Sequence, residues 1–198
     1  MIHNENSRVK IPALVHLTRL KYDYLSLKQY NGGICSETNI FKSLFWDGVN
    51  RINGCTLSEQ DIDRLLGELT IKLSNDDLGR AFYKIFLDGI NGLRIIDLED
   101  ESRNTYHAVT ELTYRNGEDE FRPDITLLIN GLPLAFVEVK KPNNRDGIIA
   151  EHNRINTRFS KEVFRRFVNI TQLMVFSNNM EYDDADPEPI EGAFYASS

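Results

Sequence analysis

The fold is decided by the stretch FRPDITLLINGLPLAFVEVK, which covers residues 121–140. Residues 124–129 and residues 133–140 both have the composition of strands, and Asn130-Gly131 between them is typical of β-hairpin turns. The second segment is apolar almost throughout, as is typical of a strand that is buried on both faces. The stretch therefore predicts a hairpin whose second strand lies inside the protein.

Two charged residues stand at the end of this apolar strand. Glu138 and Lys140 are two positions apart, so their side chains point to the same face of the sheet. Burial of unpaired charges costs on the order of several kcal/mol, so these two groups need partners. A structural salt bridge would satisfy them, and so would an active site in which a carboxylate metal ligand lies beside a positive group.

Asp124 opens the partner strand, and the length of the turn decides what it faces. A two-residue turn at positions 130–131 would place Asp124 opposite Val137, with its side chain on the wrong face. A three-residue loop at 130–132 would place it opposite Glu138, and Gly131 suits the left-handed backbone of such a loop. We therefore predict a bulged or odd-length turn that sets Asp124 beside Glu138.

The segments on either side of the hairpin predict the rest of the fold. Apolar periodicity predicts helices over 7–20, 36–50, 58–73 and 76–88, with Ser36 and Ser58 as N-caps. A β-rich stretch follows, then one or two helices over 147–168 and a strand over 170–177, while the acidic tail 181–198 is predicted to be loop or disordered. The prediction is an α/β fold, with a mixed central sheet flanked by helices and an N-terminal helical part. We expect one compact domain, in which a mainly helical part (1–92) packs on a core (93–180).

Missing motifs argue against three classes of protein. The chain has 198 residues, and it lacks the GxxxxGK[ST] loop of phosphate-loop NTPases, the GxGxxG motif of Rossmann dehydrogenases and the GxSxG motif of α/β-hydrolases. No segment is apolar enough to cross a membrane, the start does not resemble a secretory signal, and the two cysteines form no disulfide framework. These features predict a cytoplasmic protein that does not bind membranes.

The net charge of −7 argues mildly against nucleic-acid binding, but the charge is unevenly distributed. Residues 140–168 hold eight Lys and Arg against three acids, a local charge of +5, which leaves −12 for the rest of the chain. The basic segment begins where the apolar strand ends. Weak, local contact with a phosphate backbone is therefore compatible with the overall acidity.

Two carboxylates that converge from adjacent strands can bind a hard divalent cation such as Mg²⁺. A metal of this kind lowers the pKa of a bound water and offsets the charge of a phosphodiester, and the Lys140 ammonium could orient that water. The spacing, Pro-Asp124, then 13 residues, then Glu138-Val-Lys140, resembles the PD-(D/E)xK nuclease motif. The bare pattern is weak, because these residue types are common.

The residues around the motif are more specific. Together they resemble the nuclease domain of the restriction (R) subunit of type I restriction-modification enzymes, whose pattern is roughly RPDxxLFVNGLPLxxxELKxP. The segments at 21–27, 52–57 and 95–100 are similar to the same family, so that the resemblance covers most of residues 5–180.

The resemblance implies a PD-(D/E)xK restriction-endonuclease-like core that hydrolyses DNA in a Mg²⁺-dependent reaction with little sequence specificity. It implies that Asp124, Glu138 and Lys140 are catalytic, and that Asp124, Glu138 and Val139 form the metal site. It also implies partners: double-stranded DNA and the methyltransferase and specificity subunits of a restriction complex. ATP would act only through motor domains that are absent from these residues, so we expect the chain to be an N-terminal fragment.

The sequence departs from the family on the helix after the hairpin, where the family often has QxxxY. Here the corresponding positions are Arg154 and Arg158, which share one helical face. With Lys141, they are candidates for DNA phosphate contacts, although Arg154 and Arg158 could equally be surface residues without function. Glu5 is a candidate extra metal ligand by position alone, and a solvated surface acid is the alternative. A catalytically silent interaction module and a free-standing DNA repair or junction nuclease remain the alternative functions.

Overall fold

The structure is a computed structural model that describes residues 9–140, 145–177 and 193–196. Its helices are α1 (Ile11–Arg19), α2 (Lys42–Asn53), α3 (Glu59–Leu73), α4 (Arg80–Asp88), α5 (Arg145–Phe159) and α6 (Arg165–Ile170). Its strands are β1 (Asp23–Tyr24), β2 (Tyr106–Thr110), β3 (Tyr114–Asn116), β4 (Asp119–Phe121), β5 (Ile125–Ile129), β6 (Leu132–Val139), β7 (Leu173–Ser177) and β8 (Ala193–Ala196).

Six of these strands form one mixed sheet in the order β1-β2-β5-β6-β7-β8, and β3 pairs with β4 in a separate hairpin. The β1–β2 and β6–β7 pairs are parallel, while the β2–β5, β5–β6 and β7–β8 pairs are antiparallel. The predicted α/β fold with a mixed central sheet is therefore confirmed. β6 lies inside the sheet and all eight of its residues are buried, as its apolar sequence predicts.

Helices cover both faces of the sheet. On one face, Val9 and the inner side of α1 pack on Ile125, Val137 and Val139. On the other face, α5 and α6 pack on an aromatic cluster that includes Phe136. Helices α2, α3 and α4 surround the turn end of the β5–β6 hairpin. Asp124 and Lys140 lie at the opposite end of the hairpin.

The β5–β6 turn differs in length from the prediction, although Asp124 still lies beside Glu138 as predicted. Ile129 pairs with Leu132, so the turn has two residues, and both Asn130 (φ 49°) and Gly131 (φ 78°) adopt the left-handed conformation. The predicted three-residue loop is wrong. The shift in register comes later, because Leu128 pairs with Pro133 whereas Leu127 pairs with Ala135.

Leu134 is therefore the extra residue of a β-bulge in β6. It lies beside Pro133, which has no N–H to give to the ladder, and its side chain packs in the cluster formed with α2, α3 and α4. After the bulge Ile125 pairs with Val137, so the next position along sets Asp124 beside Glu138. The predicted face parity of the two carboxylates is confirmed, with a different cause.

Helix α2 begins six residues later than predicted, at Lys42, and its N-cap is Phe41 rather than Ser36. The backbone N–H of Phe41 donates to the carbonyl of Gly131 (2.9 Å), and Phe41 itself is extended (φ −83°, ψ 98°). Ser36 lies exposed in a preceding turn. A tertiary contact with the hairpin thus sets the start of the helix.

Two further segments differ from the prediction. Helix α4 begins at Arg80 rather than Asp76, because Leu78 (φ 53°) and Gly79 (φ 80°) are left-handed. Within the predicted loop tail, Ala193–Ala196 forms β8, which pairs with β7.

Helix α3 begins at its predicted N-cap, Ser58, in a reciprocal capping box with Asp61. We expect Ser58→Ala to lower the free energy of unfolding by about 1 kcal/mol, since the Asp61 N–H loses its acceptor. Urea unfolding followed by circular dichroism measures this change. Ser36→Ala is the matched control, because the exposed Ser36 hydroxyl caps no helix. Equal losses in the two variants would contradict the assignment.

Candidate active site

The candidate site lies where β5 begins and β6 ends. Asp124 precedes β5, Glu138 is the penultimate residue of β6, and Lys140 follows the strand. The Lys140 backbone N–H donates to the carbonyl of Ser177 at the end of β7 (2.8 Å), so Lys140 is held in line with the sheet. The structure thus brings together the three predicted catalytic residues.

Both carboxylate oxygens of Asp124 are held in place. Oδ2 accepts a hydrogen bond from the backbone N–H of Val139 (3.0 Å), and Oδ1 lies 3.0 Å from Lys10 Nζ. The side chain of Asp124 keeps about a fifth of its surface exposed. The carboxylate therefore lies at the edge of the site with a fixed orientation.

Glu138 is the buried member of the pair, with 5% of its surface exposed. Its Oε2 lies 3.8 Å from Lys140 Nζ, while its Oε1 is buried without a hydrogen-bond partner among the described residues. Burial, the larger cause, and the Asp124 charge together raise the pKa of Glu138 to about 7, although the charges of Lys140 and Arg158 oppose the rise. An ionised carboxylate is thus poorly compensated by the protein alone.

An unpartnered carboxylate oxygen beside a second carboxylate fits a bound cation. The part of the chain that the structure describes holds no group of three or more acidic, His or Cys side chains that could ligate a metal. The two carboxylates could therefore supply only part of a coordination shell, with water and phosphate oxygens completing it, as is usual for Mg²⁺. The residues present fit that ion.

The resemblance also places Val139 in the metal site. Its side chain is fully buried on the opposite face of β6, in the cluster under α1, so it can reach the site only through its backbone. Its N–H is engaged with Asp124, which leaves the carbonyl as the one candidate ligand atom. The assignment of Val139 as a ligand stays a prediction.

Helix α5 places the predicted arginines differently with respect to the site. Arg158 is half-buried, and its guanidinium carbon lies 4.4 Å from the centre of the Phe121 ring. Burial lowers the pKa of Arg158, the charge of Arg154 lowers it further, and Glu138 raises it. Arg154 is exposed one turn earlier. Arg158 thus lies near the carboxylates, and Arg154 extends the positive charge outward.

Two of the residues singled out in the sequence lie outside the described part of the chain. These are Lys141, a predicted phosphate contact, and Glu5, a candidate extra ligand. Their roles stay predictions.

Sequence reasoning missed Lys10 and Glu111, which adjoin Asp124. Lys10 Nζ lies 2.8 Å from Glu111 Oε1 and 3.0 Å from Asp124 Oδ1. Burial acts to lower the pKa of Lys10, but its contacts with Glu111 and Asp124 raise the pKa on balance, so the ammonium stays charged. The contact joins residues 101 positions apart, and no local pattern could have shown it.

Helices that could span a membrane are absent from the ranges that the structure describes.

Residues 2–183 match the family model described as type I restriction enzyme R protein N terminus. A Methanocaldococcus jannaschii protein assigned as the type I restriction enzyme MjaIXP endonuclease subunit is 26% identical to this chain. The alignment spans 207 residues and covers 93% of this chain and 19% of that protein. The type I restriction enzyme HindI endonuclease subunit of Haemophilus influenzae is 28% identical over 158 residues, which cover 71% of this chain and 15% of that protein.

The chain thus spans about a fifth or less of the length of these relatives. The family model, in contrast, covers nearly all of the chain, including the hairpin and both carboxylates. The chain therefore belongs to the family of type I restriction enzyme R protein N-terminal domains.

Proposed function

We propose that this chain is the Mg²⁺-dependent nuclease domain of a type I restriction enzyme R subunit, with a PD-(D/E)xK core that hydrolyses DNA phosphodiester bonds. One observation carries the proposal. Glu138 is buried with an unpartnered oxygen, and Asp124 and Lys140 lie beside it at the open end of the hairpin. A structural salt bridge would have no need to leave that oxygen without a partner.

Each residue has a distinct role in this proposal. Asp124 and Glu138, with the Val139 carbonyl, would hold Mg²⁺, which supplies an activated water and offsets the negative charge of the phosphate. Lys140 points from the same face as Glu138, so its ammonium can orient the water and stabilise the charge that develops on phosphorus. Asp124 keeps its geometry through the Val139 N–H.

The arginines of α5 suit contact with the DNA backbone. Arg158 lies near enough to Glu138 to lower its pKa, Arg154 is exposed one turn away, and Lys141 follows Lys140 in the sequence. Phosphate contacts of this kind fix the position of DNA without reading its sequence. We therefore propose little sequence specificity for this domain.

The rest of the assembly lies outside these residues. We propose that the specificity and methyltransferase subunits supply recognition of DNA, and that ATP acts through motor domains elsewhere in the R subunit. The proposed location is the cytoplasm, where the DNA substrate lies, and the free thiols of Cys35 and Cys55 are compatible with it.

The proposal is tested by Mg²⁺ titration of DNA cleavage with the full-length R subunit in its complex. We expect Asp124→Asn to raise the Mg²⁺ concentration for half-maximal cleavage by roughly 10-fold or more, because the site loses one ligand charge. Asp47→Asn, at an exposed position on α2, is the matched control and should titrate as wild type. Identical titrations for all three proteins would refute the metal site and favour a catalytically silent interaction module.

A further inference from the structure

The start of α1 brings a buried lysine to the candidate site. Lys10 precedes α1 and is 8% exposed, a low value for a lysine. Its ammonium lies between two carboxylates, 2.8 Å from Glu111 Oε1 and 3.0 Å from Asp124 Oδ1. A lysine this enclosed cannot reach a DNA phosphate without leaving both partners. Its contacts therefore point inward, to Asp124.

Glu111 is built to hold this lysine. It follows β2 and has a φ of 56°, a left-handed conformation that costs a residue with a side chain roughly 1–2 kcal/mol. Its backbone N–H donates to the carbonyl of Asp124 (3.1 Å), and Arg122 Nη1 lies 3.4 Å from its Oε2. Backbone and side chain of Glu111 are thus both tied to the segment that carries Asp124.

The two oxygens of Asp124 are held from opposite elements. The Val139 N–H of β6 holds Oδ2, and Lys10 from the start of α1 holds Oδ1. With both contacts present, the carboxylate cannot rotate about its terminal bond without breaking one of them. Of these two contacts, loss of Lys10 would leave the Val139 N–H to hold the Asp124 carboxylate, which could then rotate about that hydrogen bond.

We propose that Lys10 is a positioning residue of the nuclease site, which fixes the Asp124 carboxylate, and that Glu111 keeps Lys10 in place. This inference rests on the proposed nuclease function. It assigns the fixing of Asp124 Oδ1 to the N-terminal segment, whereas the hairpin fixes Oδ2 through the Val139 N–H.

The test uses the full-length R subunit in its complex and measures the cleavage rate at saturating Mg²⁺. We expect Lys10→Met to lower kcat by about 10- to 100-fold, the scale on which small displacements of a reacting group act. Lys10→Arg keeps the charge and the reach, so it should recover at least half of the wild-type rate. Glu111→Gln should lower kcat by only a few fold, because Lys10 keeps its contact with Asp124.

Lys42→Met is the matched control. Lys42 also lies between two carboxylates, Glu59 (3.0 Å) and Asp63 (2.7 Å), but at the start of α2, away from the site. A lysine that merely fastens one element to another would lower the melting temperature and leave kcat at saturating Mg²⁺ unchanged. Rates for Lys10→Met and Glu111→Gln equal to that of Lys42→Met would therefore overturn the proposal.

Failure of the nuclease function itself would have a different result. In that case Asp124→Asn would also cleave with the wild-type Mg²⁺ dependence. If Asp124→Asn is impaired and Lys10→Met is not, the site is a nuclease and only the role of Lys10 is wrong. If Lys10→Met does not fold, Glu111→Gln and Lys10→Arg decide the question, since both retain a lysine or arginine beside Asp124.

Discussion

Lys140→Ala lowers the rate of DNA cleavage by the assembled complex by about 1000-fold or more; this is the largest effect we expect on activity. The scale follows from preorganised charge, since loss of one group that stabilises the transition state costs about 100- to 1000-fold in rate, and Lys140 would also orient the attacking water. The side chain is mostly enclosed, with 18% of its surface exposed, so bulk water cannot replace the ammonium.

The metal site has to be kept filled for this comparison. Lys140 lowers the pKa of Glu138, so its removal favours the protonated, metal-free carboxyl. The assay is therefore run at saturating Mg²⁺ and at about pH 8, above the pKa of Glu138. A loss of rate that persists as Mg²⁺ is raised further reports on the chemical step and not on the affinity for Mg²⁺.

Lys84→Ala is the control, because Lys84 is an exposed lysine on α4. Its removal changes the net charge equally and should leave cleavage at the wild-type rate. The ATP hydrolysis that we propose for the motor domains, measured alongside, checks that the variants assemble. Cleavage by Lys140→Ala as fast as by Lys84→Ala would mean that Lys140 is not catalytic.

The hairpin that carries this lysine could be predicted from sequence, and the reason is local. An almost unbroken apolar strand ending in two charges requires burial of the strand and a partner for the charges, and Asn130-Gly131 requires a turn. The cause of the register could not be predicted. The bulge at Leu134 depends on Pro133 and on a pocket between helices that are distant in sequence, so turn length alone gave the right parity for the wrong reason.

Helix starts show the same division between local and tertiary causes. Ser58 is followed by Asp61, and the two cap each other through contacts three residues apart, which a sequence can reveal. Ser36 has Asn39 at the corresponding position, so it lacks an acidic partner for a capping box. The hydrogen bond from Phe41 to Gly131 then sets the start of α2, and no local pattern indicates that contact.

Lys10 and Glu111, which support the site, could not be predicted from the sequence, because their contacts are also tertiary. Lys10 and Glu111 are 101 positions apart, and Lys10 and Asp124 are further apart still. Contacts of this kind produce no periodic pattern in the sequence. Only the left-handed backbone of Glu111 indicates a special role, and that conformation is a property of the fold. The residues proposed to do chemistry could thus be named in advance, whereas those that hold them could not.

The second large effect concerns stability. Glu138→Gln should make the metal-free protein more stable than wild type at about pH 8, by up to about 3 kcal/mol, because the neutral amide removes a poorly compensated buried charge. The pKa of Glu138 is raised by burial from 4.5 to about 7 in the folded protein. A raised pKa means that folding takes up a proton, so this group favours the folded state at low pH and loses that contribution as the pH rises.

The pH window follows from the two pKa values. Below 4.5 the carboxyl is protonated in both states, and wild type and Glu138→Gln should have nearly equal stability. Between 4.5 and about 7 the unfolded carboxyl ionises while the folded one resists, so the stability gap widens. Above about 7 the Glu138 carboxyl is ionised in both the folded and the unfolded state, so the stability difference between wild type and Glu138→Gln stays constant. Denaturant unfolding with EDTA present, at about pH 4 and pH 8, measures the two limits.

Glu118→Gln is the control, since Glu118 is exposed in the β3–β4 turn and should show little change between the two pH values. Added Mg²⁺ separates a metal ligand from a merely strained carboxylate. A cation that binds the ionised Glu138 would stabilise wild type at pH 8 through binding to the folded state, and it would stabilise Glu138→Gln much less. The two curves would then approach each other as Mg²⁺ increases. If Mg²⁺ leaves the stability difference between wild type and Glu138→Gln unchanged, Glu138 does not bind the metal.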